Sequence, residues 1–230
     1  MTTPPLAVAD ATPAAPAQAR TPARWLALGA VAGPALFTFA WLVLGFLSPG
    51  YTLFGTLIAP YSPISQPISG LGLGPTGAFM NTAFVLSGLV LLAGVAGIFQ
   101  TVRPSGRRPA GRVAAALLAL SPLGLVVAGS FTLEAVMPHL LGFLLATGTP
   151  VASFLATGRF LRGIPGWRRF GTWLLVGSPL TLVLLVGFFL TFDPATAGAN
   201  VGMAGLVQRV LAVEVHAWFV AMGWLAYRRS

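Results

Sequence analysis

Cysteine is absent from the 230 residues, which removes disulfides, thiolate metal sites, iron–sulfur clusters and a cysteine nucleophile. Lysine is absent as well, so all 13 basic residues are arginines. Acidic residues number four (Asp10, Glu134, Asp193 and Glu214) and histidines two (His139 and His216), a very short inventory of groups able to move protons or hold metals. Charged residues make up only 7% of the chain against 56% apolar, with a mean hydropathy of +0.86, and a water-soluble surface cannot be built from that composition. The net charge of +9 and the pI near 11.8 would suit a nucleic-acid binder. The arginines, however, sit between long apolar runs and form no stripe interleaved with exposed aromatics, so nucleic acid is excluded as a partner.

Residues 1–23 are rich in Ala, Pro and Thr and are expected to form a disordered cytoplasmic tail. Residues 24–230 hold six apolar runs, at about 25–47, 79–100, 113–131, 139–160, 170–192 and 204–227. Each has about the twenty residues that carry a helix across a hydrocarbon core. The first is too long for a signal-peptide core and no cleavage site with a polar sequel follows it, so it reads as a retained span. Lipid offers no partner to backbone N–H and C=O groups, which leaves helices as the form for such runs. The fold class is therefore an all-α membrane protein, a six-transmembrane-helix bundle.

Arginine placement sets the expected orientation. Arg20 and Arg24 precede the first span, Arg103, Arg107, Arg108 and Arg112 fill the second connection, Arg159, Arg162, Arg168 and Arg169 the fourth, and Arg228 and Arg229 follow the last span. The alternate connections have none, apart from Arg209 just inside the sixth span. The positive-inside rule then puts both termini in the cytoplasm of a multi-pass cell-membrane protein. The odd spans also share a register: Arg24, Arg112 and Arg169 each precede a proline (Pro34, Pro122, Pro179) by ten residues, and Gly33, Ser121 and Ser178 stand before those prolines. That register suggests three helical hairpin repeats. Proline within a span frees a carbonyl that a neighbouring helix or hydroxyl must satisfy, and Gly29 and Gly33, spaced as GxxxG, would allow close helix approach.

The remaining ionisable groups, Glu134, His139, Asp193, Arg209, Glu214 and His216, fall toward the side opposite the arginine-rich connections. Arg209 and His216, seven residues apart, share a helical face, whereas Glu214 lies roughly 140° around from Arg209. An ionised carboxylate at its depth is costly facing lipid, so Glu214 is expected to face protein and to carry a hydrogen bond or a proton. For Arg209 the expectation is a pair with Asp193 or Glu134. No H-E-x-x-H spacing accompanies the histidines, no phosphate-cradling motif appears and nothing points to a porphyrin, so no metal and no cofactor is expected. The first long connection, 48–77, is uncharged, half apolar and dense in Pro, Gly, Ser and Tyr. It is expected to lie on the mouth of the bundle or dip into it, bringing Ser65, Gln66 and Ser69 toward the polar groups.

The stretch from Tyr61 to Gly72 (YSPISQPISGLG), Asn81, the acidic residue and His139 of the third outer region, and Gly205 to Arg209 (GLVQR) with Trp218 downstream resemble the membrane proteins grouped as domain of unknown function 998. The likeness covers nearly the whole chain after the tail and implies a multi-span membrane protein without assigning a reaction. Gln208 stands where the resemblance implies an acidic residue before the arginine. The leading expectation is a non-enzymatic protein in contact with membrane lipids. Its outward polar cavity, lined by Ser65, Ser69, Asn81, Glu134, His139, Asp193, Arg209, Glu214 and His216, binds or transports a small or lipidic ligand, with Glu214 or His216 exchanging protons in the transport version. The rival is a membrane-embedded enzyme acting on a lipid or lipid-linked substrate with Glu214 or His139 as general acid or base, and a third reading is a structural assembly partner.

Overall fold

The computed structural model describes residues 21–102, 108–193 and 200–229. Residues 1–20 of the tail, among them Asp10 and Arg20, lie outside that set, as do Arg103 and Arg107 of the second connection. Helix α1 (Thr21–Ala27) passes through Leu28 into α2 (Gly29–Leu47), and the two form the first crossing segment. A small antiparallel hairpin of β1 (Tyr51–Leu53) and β2 (Thr56–Ile58) pairs Tyr51 with Ile58 and Leu53 with Thr56. Two 3-10 turns, Ile68–Gly72 and Gly74–Thr76, lead into α3 (Gly77–Thr101). After α4 (Arg108–Ser130), the fourth crossing is composite: α5 (Val136–Phe143), a π turn over Leu144–Gly148, and α6 (Thr149–Arg162). Helices α7 (Arg168–Thr191) and α8 (Ala204–Arg229) complete the bundle. Among the described residues six helical segments are long and apolar enough to cross a membrane, and the protein is a multi-pass membrane protein.

The π turn has a cause in the sequence. Pro150 has no N–H to give the carbonyl of Ala146 four residues earlier, so the ladder opens just before α6. Ser121 of α4 supplies the missing donor, its hydroxyl giving a 2.7 Å hydrogen bond to the Ala146 carbonyl. Interhelical hydrogen bonds of this kind contribute on average about 0.6 kcal/mol in membranes. Ser121→Ala is therefore expected to lower the thermal unfolding midpoint in detergent by only about 2 °C, at the roughly 2–4 °C per kcal/mol of a chain this size. A fall several times larger, measured by intrinsic fluorescence, would show that the bond carries more than one carbonyl.

Small residues draw the first crossing segment onto α3, as the Gly29/Gly33 spacing predicts. A Cβ at Gly29 would lie 2.8 Å from the backbone nitrogen of Gly94, and one at Gly33 would lie 2.7 Å from the Ser87 carbonyl. Packing does not single out three hairpins, since α3 sits as closely on α4 and α6 on α7 as partners within a hairpin do. The serines of the shared register are not equivalent either. Ser121 bonds forward to the fourth crossing segment, whereas Ser178 bonds backward to it, at the Val151 carbonyl, 2.6 Å away. The three-hairpin repeat thus finds no support in how the helices pair.

The two ends of the bundle differ in chemistry. At one end arginines lie against aromatic rings: Arg24 over Tyr227 at 4.7 Å, Arg229 over Trp167 at 5.1 Å and Arg228 over Trp224 at 5.8 Å. This is the pattern of a membrane–water boundary. The other end is closed by the long connection between α2 and α3, and is the loop end below.

Candidate functional site

Residues 65–73 are buried without a break, so the connection plugs the mouth of the bundle as the sequence suggests. Non-helical backbone at such a place is tolerated only if protein satisfies its polar groups. Helix α8 does most of this. Gln208 Oε1 accepts from the Ile68 N–H at 2.6 Å, fixing the start of the 3-10 turn. The Leu206 N–H, at the open end of α8, donates to the Ile64 carbonyl at 2.8 Å. Elsewhere the Asn81 amide donates to the Gly72 carbonyl at 3.0 Å, the Thr76 hydroxyl to Leu71 at 2.9 Å and the Tyr61 hydroxyl to Pro67 at 3.2 Å. Ser65 and Gln66 both reach the Asn200 side-chain oxygen, at 3.3 and 2.8 Å, while Tyr51 donates to the Gln66 Oε1 at 2.7 Å. Gly205 is required for the approach, because a Cβ there would lie 2.8 Å from the Pro63 carbonyl oxygen.

Arg209 departs from the expected pairing with Asp193 or Glu134. Its Nη1 donates to the carbonyls of Pro63 (2.7 Å), Gln66 (3.0 Å) and Gly205 (2.9 Å), and its Nη2 to the Tyr61 hydroxyl. The guanidinium also lies 5.4 Å from the Trp41 ring centre and 5.8 Å from that of Tyr61. Carbonyl dipoles and ring faces take the place of a counter-ion, a geometry that suits the planar fork of arginine. Burial raises the Tyr61 hydroxyl above its ordinary range despite the opposing pull of Arg209, and burial likewise raises Tyr51. Both remain protonated donors.

Beneath and beside the plug lie two spaces that share part of their lining. The larger, of about 350 Å³, is walled by Leu53 and Phe54 of the hairpin, by Val136, Leu140 and Phe143 of α5, and by Phe188, Phe189 and Phe192 at the end of α7. Its polar edge is Ser69, His139 and Gln208. The smaller, of about 40 Å³, shares those three residues and reaches inward to Thr147 and His216. His139 bridges the plug and α5: Nδ1 is 2.7 Å from the Phe131 carbonyl and Nε2 is 2.9 Å from Ser69 Oγ. A carbonyl only accepts, so Nδ1 carries the ring proton, Nε2 is the acceptor, and the Ser69 hydroxyl donates to it.

Apart from His216, which lines the smaller space, the other expected site residues do not join this group. Arg209, Ser65 and Asn81 hold the plug. Glu134 and Asp193 are exposed. Arg209 and His216 are buried on one face of α8, and His216 packs edge-on against Phe37 at 5.3 Å. Glu214 turns away from that face toward α7, where it accepts from the Thr181 hydroxyl at 2.9 Å and from Trp218 Nε1 at 2.6 Å. Thus Ser69, His139 and His216 meet around a small cavity, and the larger space is apolar, not polar. Sequence reading missed the walls of that space. Phe143, Phe188, Phe189 and Phe192 stand within or beside apolar runs, where aromatic residues carry no distinguishing signal. Gln208 and Tyr51 were also unmarked as clamps.

Among known proteins, a family model described as a protein of unknown function, DUF998, matches residues 31–225. No curated protein and no solved structure matches the chain.

Proposed function

The chain belongs to the DUF998 family, and from that premise we propose that it is a lipid-binding membrane protein whose apolar pocket takes an acyl chain from the outer leaflet of the cell membrane. The observation that carries this reading is the pocket itself. At about 350 Å³ it has the scale of a ligand site, which commonly runs from about 300 to 1,000 Å³. Its rim residues Phe54, Val136, Leu140, Phe189 and Phe192 are exposed apolar side chains, which in a membrane open it sideways onto hydrocarbon. The polar edge at Ser69, His139 and Gln208 lies where a lipid's ester region would follow its chain inward. The arginine-rich end favours the orientation with both termini cytoplasmic and the plug outward. Further into the bundle, Phe154, Leu211, Phe219 and Met222 are fully buried and fill the space between helices, which favours binding over passage through the bundle.

Filling the pocket tests the reading. Leu140→Trp is expected to leave the unfolding midpoint unchanged, since Leu140 is partly exposed, while weakening capture of a fluorescent phosphatidylglycerol about tenfold, equivalent to roughly 1.4 kcal/mol. Titration in detergent micelles checks it, and capture by the variant as tight as by the natural chain would contradict it.

A further inference from the structure

Ser69 and His139 stand 70 positions apart in the chain, yet the plug and α5 place Oγ and Nε2 2.9 Å apart at the edge of the apolar pocket. We propose that they are a nucleophile and general base that cleave a carboxylic ester of the acyl lipid held in that pocket, a proposal that rests on the lipid-binding reading above. The pairing meets the geometric requirements of such a couple. The base is within hydrogen-bond reach of the nucleophile, and a third group, the Phe131 carbonyl at 2.7 Å from Nδ1, fixes its tautomer. That carbonyl lies just past the last residue of α4, where the helix dipole puts partial negative charge beside a ring that must become cationic. The 3-10 turn carrying Ser69 is pinned at its first N–H by Gln208, which fixes the backbone from which the hydroxyl projects. A tether alone would be served by this bond anywhere in the bundle, but here both residues line the apolar pocket read above as open to lipid chains.

The reaction balances with water as the second reactant. As Ser69 Oγ bonds to the ester carbonyl carbon, its proton passes to His139 Nε2. The ester C–O bond then breaks and the leaving alcohol oxygen takes that proton, leaving an acyl group on Ser69. Water attacks the acyl carbon, giving a proton to Nε2, and the bond to Oγ breaks as Oγ recovers the proton. A fatty acid and an alcohol result. The adjoining 40 Å³ cavity has room for that water, which needs roughly 10–15 Å³, and polar contacts for it in Thr147, Gln208 and His216.

The test is an alkyl fluorophosphonate, which bonds covalently to a serine activated by a base, applied to the full chain in phosphatidylglycerol nanodiscs. Peptide mass spectrometry is expected to find the adduct on Ser69, none in Ser69→Ala, and a labelling rate at least about a hundredfold slower in His139→Gln. Capture of the fluorescent phosphatidylglycerol is measured alongside on the natural chain, where it is expected to be retained. A natural chain that captures the lipid but carries no adduct on Ser69 overturns the dyad and leaves the pocket standing. Undiminished labelling in His139→Gln overturns the base. If Ser69 is labelled and no lipid is captured, the lipid-binding reading fails, and the lipid-ester substrate with it. The mapping on the natural chain decides the question even where a variant does not fold.

Discussion

Replacing Arg209 with alanine is expected to lower the thermal unfolding midpoint in detergent by on the order of 10 °C, the largest single-residue loss at the loop end. The side chain is the donor to the carbonyl of buried Gln66 and to that of exposed Pro63, whose bond is part-buried; both belong to non-helical backbone at the bundle mouth. A buried acceptor left without a donor costs about 1–3 kcal/mol, so the buried Gln66 carbonyl together with the part-buried Pro63 carbonyl costs about 2–4 kcal/mol. At roughly 2–4 °C per kcal/mol the midpoint moves by that order. Arg209→Lys should recover only part of this. One ammonium cannot reach two loop carbonyls and the Tyr61 hydroxyl while also lying against the Trp41 and Tyr61 rings. A variant with alanine at 209 that melts with the natural chain would show that the plug is held from elsewhere.

Gln208 gives the second large effect and a sharper one in place. Gln208→Leu removes the acceptor of the Ile68 N–H and leaves a buried donor unpaired, at about 1–3 kcal/mol. The 3-10 turn Ile68–Gly72 should then open locally, and hydrogen exchange of its amides should quicken roughly 5- to 150-fold, while the amides of α3 keep their protection. Gln208→Glu should be mild in comparison, because only an acceptor is used there and a carboxylate beside Arg209 supplies one. That accounts for how a glutamine can stand where the family resemblance implies an acid. Exchange in Gln208→Leu no faster than in the natural chain would remove Gln208 from the clamp.

These two residues also mark how far the sequence could be read. The six crossing segments and the arginine-rich end were legible because lipid imposes long apolar runs and a charge bias on any chain that crosses it. That connection 48–77 lies on the bundle mouth or dips into it was legible from its uncharged, half-apolar composition, though not which of the two, and the separation of Glu214 from Arg209 and His216 was legible from helical periodicity alone. The partners of Arg209 were not. Charge logic sends an arginine to an acid, but a re-entrant backbone offers carbonyls that no residue letter announces. The meeting of Ser69 with His139 depends on how deep the plug sits, which periodicity does not encode. The proline register across the odd spans was a real regularity in the letters, yet Ser121 and Ser178 bond in opposite directions along the chain.

The pocket that opens between the hairpin, α5 and α7 is the centre of this account. Its most direct test is photocrosslinking in native-like bilayers with a phosphatidylglycerol carrying a diazirine near the end of one acyl chain, followed by peptide mapping. Crosslinks concentrated on Leu140, Phe143, Phe188, Phe189 and Phe192, and competed away by unlabelled lipid, are the predicted result. Crosslinks spread evenly over exposed span residues such as Phe39, Phe46 and Val183, with none enriched at the pocket walls, would contradict it.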